Sequence, residues 1–149
     1  MRISDYLDSR LIVFLDSKTR DQAIDALVDV LDGAEELVDK QAFRKAILYR
    51  EKLVSTGIGM GVAVPHAKMK EFDDFFIAVG IQKTQGIDWN ALDGAPVRLI
   101  FMIGGPEDRQ TEYLQILSLL TSAIRDPDLR KKLLVAENPA QVLELFSRF

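Results

Sequence analysis

The sequence predicts an α/β layered fold on a mixed β-sheet. Three observations carry this. Short apolar runs rich in strand formers alternate along the chain with segments of helical periodicity. One run, Val97 to Ile103, is almost continuously apolar, as a central strand covered on both faces must be. Some connections between runs are too short for a helical crossover, so the strands cannot all be parallel.

The elements follow in order. Ile3 to Leu7 reads as a short helical turn capped by Ser4, and Leu11 to Leu15 as a strand. Thr19 opens a helix, with Gln22 completing a capping box. Ala23, Ile24, Leu27, Val28 and Leu31 form its apolar stripe, and Gly33 is placed to end it. Asp39 caps a second helix with Phe43, Ala46 and Ile47 on its buried side, fraying near Glu51 or Lys52. Three glycines within Gly57 to Gly61 forbid a helix there. Val62 to Val64 is a short strand closed by Pro65, and His66 stands at its exit. Phe75 to Ile81 is a further strand, and Gly86 to Gly94, which holds Trp89, is rich in turn residues. Gly104, Gly105 and Pro106 stop the central strand. A helix from about Gln110 to Ile124 is expected to bury Leu114, Leu117, Leu120 and Ile124. Asp126-Pro127 starts a short helix, and Pro139 the last one.

With 149 residues, no repeat and no long linker, residues 1–149 read as a single domain. The absence of cysteine removes disulfides, thiolate catalysis and the usual zinc sites. The N-terminus lacks an apolar signal region, and no apolar run approaches the ~18 residues of a membrane span. A cytoplasmic location without membrane insertion is therefore expected. A net charge of −4 argues against nucleic acid as partner. Arg130-Lys131-Lys132, set beside Asp126, Asp128 and Glu137, reads as a solvated helix face.

The glycine segment fails the P-loop pattern, because no Gly-Lys-Ser/Thr follows it. It also fails the dinucleotide pattern, because position 62 is Val and a proline follows rather than a helix. His66 is the only histidine. A nucleophilic imidazole needs one nitrogen exposed and the other hydrogen-bonded, and a strand end after a proline offers a carbonyl for the second. Arg50, near the end of the preceding helix, can supply positive charge for a phosphoryl group. Its ordinary reading is a cation complementing the helix dipole. Glu51 reads equally as a surface carboxylate or as an orienter of Arg50. Asp73 and Asp74 read as solvated. Trp89, Phe146 and Phe149 read as core or as partner contacts.

Arg50-Glu51, then Ser55-Thr56-Gly57-Ile58-Gly59, then Val62-Ala63-Val64-Pro65-His66-Ala67, together resemble the signature of enzyme IIA domains of the fructose/mannitol class, which includes the nitrogen-regulatory IIA proteins. The likeness covers nearly the whole chain, from Ser4-Asp5-Tyr6-Leu7 to the closing helices. It implies a three-layer α/β sandwich, with a mixed sheet flanked by helices on both faces. It implies that His66 accepts a phosphoryl group from HPr or the nitrogen-branch HPr-like carrier. The group then passes to an enzyme IIB, or serves regulation through a target protein. Arg50 matches an arginine near the histidine. No metal or organic cofactor is implied, and a homodimer is compatible with the resemblance. The family commonly carries a second histidine at the start of the penultimate long helix, and here that position is Tyr113. On this resemblance Tyr113 contacts or orients His66, and the Gly57 to Gly61 loop shapes the cleft. The alternative reading is a non-catalytic regulatory binding module on the same fold. A degenerate scaffold is a third, which retention of His66 and Arg50 disfavours.

Overall fold

The computed structural model describes residues 1–149. Two 3-10 turns, Ile3–Tyr6 and Ser9–Leu11, precede strand β1 (Ile12–Leu15). Helices α1 (Arg20–Gly33) and α2 (Lys40–Leu53) follow, then β2 (Gly57–Gly59), β3 (Val62–Ala63), β4 (His66–Lys68), β5 (Phe76–Gln82) and β6 (Leu99–Gly105). Helices α3 (Gln110–Ile124), α4 (Pro127–Val135) and α5 (Pro139–Phe146) close the chain.

The six strands form one mixed sheet in the order β1-β5-β6-β3-β2, with β4 also paired to β6. β5 and β6 are antiparallel, whereas β1 runs parallel to β5. β3 and β4 both lie parallel to β6 along the same edge, with Val62 opposite Leu99 and His66 opposite Ile103. They are one line of chain interrupted at Pro65, which has no N–H to give, although its carbonyl accepts from Ile103 N–H at 2.9 Å. β2 continues the sheet beyond β3, but nothing pairs with β4 on its outer side. His66 therefore begins an open edge strand.

Both faces of the sheet are covered. On one face Ile24, Leu27 and Leu31 of α1 and Phe43 and Ile47 of α2 pack on Leu15, Ala78, Ile100 and Met102. On the other, Ile116, Leu120 and Ile124 of α3, Leu133 of α4 and Phe146 of α5 pack on Val79, Phe101 and Ile103. The alternation of Ile100 and Met102 against Phe101 and Ile103 is the period of two expected of a strand. This is the three-layer α/β sandwich of the sequence reading.

The caps behave as their chemistry requires. Thr19 accepts from Gln22 N–H at 3.2 Å, but Gln22 Oε1 returns to Lys18 N–H, one residue upstream of the cap. Asp39 accepts from Ala42 N–H at 3.0 Å. α4 and α5 carry proline at their first position, behind Asp126 and Asn138 caps.

Four expectations need correction. Ser4 lies inside its turn rather than capping it, and Asp5 accepts from Arg2 N–H instead. Leu11 ends a 3-10 turn, so β1 starts at Ile12. Gly104 and Gly105 do not stop β6 but form its last two residues, paired with β4 and β5, where any side chain would collide with the rings of Phe76 and Phe75. Leu114 is 54% exposed and Leu117 is only half-buried, and the buried stripe of α3 is Tyr113, Ile116, Leu120, Ala123 and Ile124.

Candidate functional site

His66 is held by the backbone just before it. Its Nδ1 lies 3.0 Å from the carbonyl oxygen of Val64. A carbonyl only accepts, so the neutral ring carries its proton on Nδ1 and leaves the Nε2 lone pair free. Burial pushes the imidazole below its ordinary 6.5. The Val64 carbonyl and Glu51 pull the other way, while the charges of Arg50 and Lys68 add to the depression. At neutral pH the ring is therefore an uncharged base with one available nitrogen.

Strand alternation puts His66 and Lys68 on one face of β4 and Ala67 on the other, toward α1 and α2. Lys68 Nζ sits 4.4 Å from the centre of the Tyr113 ring and hydrogen-bonds Gln110 Oε1. Tyr113 comes from the first turn of α3, buried and stacked on Phe75. Its ring centre is 5.5 Å from that of His66. No hydrogen bond joins its hydroxyl to the imidazole, so the contact is ring against ring. Burial pushes the phenol up to about 12, so it stays protonated and neutral.

α2 packs against β4 and brings Arg50 and Glu51 to this edge. Arg50 Nη1 donates to Val54 O at 2.8 Å, closing the end of the helix, and the side chain makes no ion pair. Its charge remains uncommitted. Glu51 is not a surface carboxylate: it is 3% exposed. Its Oε1 accepts from Thr56 N–H and from Trp89 Nε1–H, each at 2.8 Å, and its Oε2 from Thr56 Oγ1 at 2.6 Å. Nor does it orient Arg50 through an ion pair. Trp89 is core, at 1% exposure, and so is Phe146.

The glycine segment is placed differently from expectation. Gly59, Met60 and Gly61 all have positive φ, at 98°, 61° and 74°, and form the turn between β2 and β3. Gly61 O accepts from Arg98 and Leu99 N–H at the start of β6, whereas His66 pairs with Ile103 near its end. The turn therefore lies away from the imidazole and does not shape its surroundings. Thr56, just before β2, is the nearer neighbour, because its carbonyl accepts from Val64 N–H at 3.0 Å. Asp74 pairs with Arg109 in solvent, and no cluster of three metal-ligating side chains is present.

The family description "Phosphoenolpyruvate-dependent sugar phosphotransferase system, EIIA 2" matches residues 5–149. The chain belongs to this family. It is 39% identical to the PTS system fructose-specific EIIABC component of Bacillus subtilis over 149 residues, covering 99% of this chain and 23% of that protein. The chain thus spans about a quarter of that relative's length. The PTS system fructose-specific EIIA component of Haloferax volcanii is 36% identical over 87% of this chain and 83% of its own. The crystal structure of nitrogen regulatory protein IIA-Ntr from Neisseria meningitidis superposes with a TM-score of 0.89 at 25% identity, covering 97% of this chain and 99% of that one. This EIIA-family chain thus resembles both fructose-specific and nitrogen-regulatory members. No helix in it is long and apolar enough to cross a membrane.

The sequence reading passed over Lys68 and placed Glu51 wrongly. Lys68 was signalled by the His-Ala-Lys alternation at positions 66 to 68. The burial of Glu51 had no local signal, since it depends on Trp89, far along the chain.

Proposed function

We propose that this EIIA domain is a phosphoryl carrier of the phosphoenolpyruvate-dependent sugar phosphotransferase system, accepting the group on Nε2 of His66. The observation that supports this most strongly is the Val64 contact, which commits the proton to Nδ1 and the lone pair to Nε2. The Nε2 lone pair attacks phosphorus, and the bond from phosphorus to the donor breaks with its electron pair returning to the donor. The added group carries roughly −1.5 to −2 charges, by analogy with phosphorylated hydroxyls. Arg50 and Lys68 supply opposing charge, and Tyr113 walls the site as a neutral ring. Lys68 fills electrostatically the role that a cationic second histidine would have at position 113.

The donor in this reading is HPr or its nitrogen-branch counterpart, and the acceptor an enzyme IIB or a regulatory target. Leu53, Val54 and Leu114 are 59%, 60% and 54% exposed beside Arg50 and Tyr113. Apolar side chains around an open edge strand suit a protein partner. The test is to incubate the chain with phosphoenolpyruvate, enzyme I and an HPr-type carrier. The expected result is an acid-labile adduct of one phosphoryl group per chain. His66→Ala is expected to fold and to take up none, and labelling of that variant would sink the assignment. A folded wild-type chain that takes no phosphoryl group from matched carriers would favour the binding-module reading.

A further inference from the structure

We propose that Glu51 is a positioning residue for His66: through Thr56 and Val64 it fixes which imidazole nitrogen is free to accept a phosphoryl group. The inference rests on the reading of Nε2 as the acceptor, and it assigns work to a buried carboxylate which that reading leaves idle.

A carboxylate taken out of water is strongly unfavourable unless donors surround it. Glu51 has no ion-pair partner. All its compensation comes from Thr56 N–H, Thr56 Oγ1–H and Trp89 Nε1–H, at 2.6 to 2.8 Å. Two of these three donors belong to Thr56, so the carboxylate grips that one residue by both backbone and side chain. Trp89 Nε1 also lies 3.3 Å from Thr56 Oγ1, which closes the network.

Thr56 is one step from the site. Its carbonyl accepts from Val64 N–H at 3.0 Å, and the Val64 carbonyl receives Nδ1–H of His66 at 3.0 Å. The path therefore runs from the Glu51 carboxylate to Thr56, to Val64 and to the imidazole, with a hydrogen bond at each junction. It spans the break between β3 and β4. Pro65 donates nothing there, and β3 has only two residues. Neighbours on either side of Val64 pair with β6, but Thr56 O is the acceptor of Val64 N–H itself, so the grip on Thr56 bears directly on the residue whose carbonyl selects the tautomer. Arg50 is adjacent to Glu51 and donates to Val54 O, so the same helix end carries both the phosphoryl-binding charge and the clamp. Residues behind a functional imidazole that fix its tautomer matter to function by about 10- to 100-fold where this has been measured in metal sites.

A single histidine makes the test unambiguous. The full-length, unphosphorylated chain is labelled with 15N, and the imidazole correlations are recorded in alkaline buffer. In the wild type, Nδ1 is expected to carry the proton and Nε2 to be bare. Glu51→Gln keeps this pattern, because its amide oxygen still accepts from Thr56 N–H and Trp89 while its amide nitrogen donates to Thr56 Oγ1. Glu51→Ala populates both tautomers, and phosphoryl acceptance falls by about 10- to 100-fold. Thr56→Val, which replaces the hydroxyl with a methyl group and keeps the backbone donor, is the second variant should Glu51→Ala not fold, and it shifts the tautomers in the same direction. A folded Glu51→Ala or Thr56→Val chain with His66 still wholly Nδ1-protonated overturns the proposal. The tautomer is read without any phosphoryl donor. A wild-type chain that failed to be phosphorylated would therefore count against the carrier reading and leave this result standing.

Discussion

At the scale of single residues, the proposed site depends on an uncharged His66 beside two cations that form no ion pair. Replacing Lys68 with Met removes one of the charges that depress the imidazole. The His66 titration followed by NMR is then expected to move up toward 6.5, and phosphoryl acceptance to fall about 10-fold or more. The depressed value also has a consequence for stability. Between 6.5 and the lower folded value, the unfolded chain takes up its proton first. This contribution is therefore fully present above 6.5 and is lost as pH falls through that window. Urea midpoints measured across it should fall less steeply in His66→Gln than in the wild type. The placement of His66 just after Pro65 and of Arg50 near a helix end was legible in the sequence, because both are local patterns. Glu51 was not, because its burial is decided by an indole that only the tertiary fold brings to it.

At the scale of elements, capping chemistry was the most readable feature and facial burial of α3 the least. Thr19, Asp39 and Asp126 cap where their side chains suggest, whereas Ser4 does not. Asp39→Ala should cost about 1 kcal/mol in chemical denaturation. In α3 the apolar residues Leu114, Ile116, Leu117, Leu119 and Leu120 run around the helix, so periodicity alone did not pick the buried face. The structure buries Ile116 and leaves Leu114 in solvent. Ile116→Ala is accordingly expected to cost ~2–5 kcal/mol in the same assay, and Leu114→Ala only a small fraction of that. The glycines divide in the same manner. Those at Gly59 and Gly61 were readable as a turn, whereas Gly104 and Gly105 are set by the rings of Phe76 and Phe75, packed on opposite faces of β6. Nothing in the local sequence of β6 shows those rings.

At the scale of the whole molecule, the site lies where the three layers meet at one edge of the sheet. α2 from one outer layer delivers Arg50 and Glu51, α3 from the other delivers Tyr113, and edge strand β4 carries His66 and Lys68 between them. The class of fold was legible because a strand apolar on both faces demands cover on both sides. The meeting of His66, Arg50 and Tyr113 at one edge was only partly legible, since proximity across layers is not a sequence pattern. The central claim is that Nε2 of His66 takes the phosphoryl group while Nδ1 keeps its proton on Val64. The most direct measurement is imidazole 15N NMR of the chain after phosphorylation by an HPr-type carrier. A ring phosphorylated at Nε2 with Nδ1–H retained is the expected result. A phosphoryl group on Nδ1, or a folded chain whose imidazole is unchanged by a carrier that phosphorylates other EIIA proteins, would contradict it.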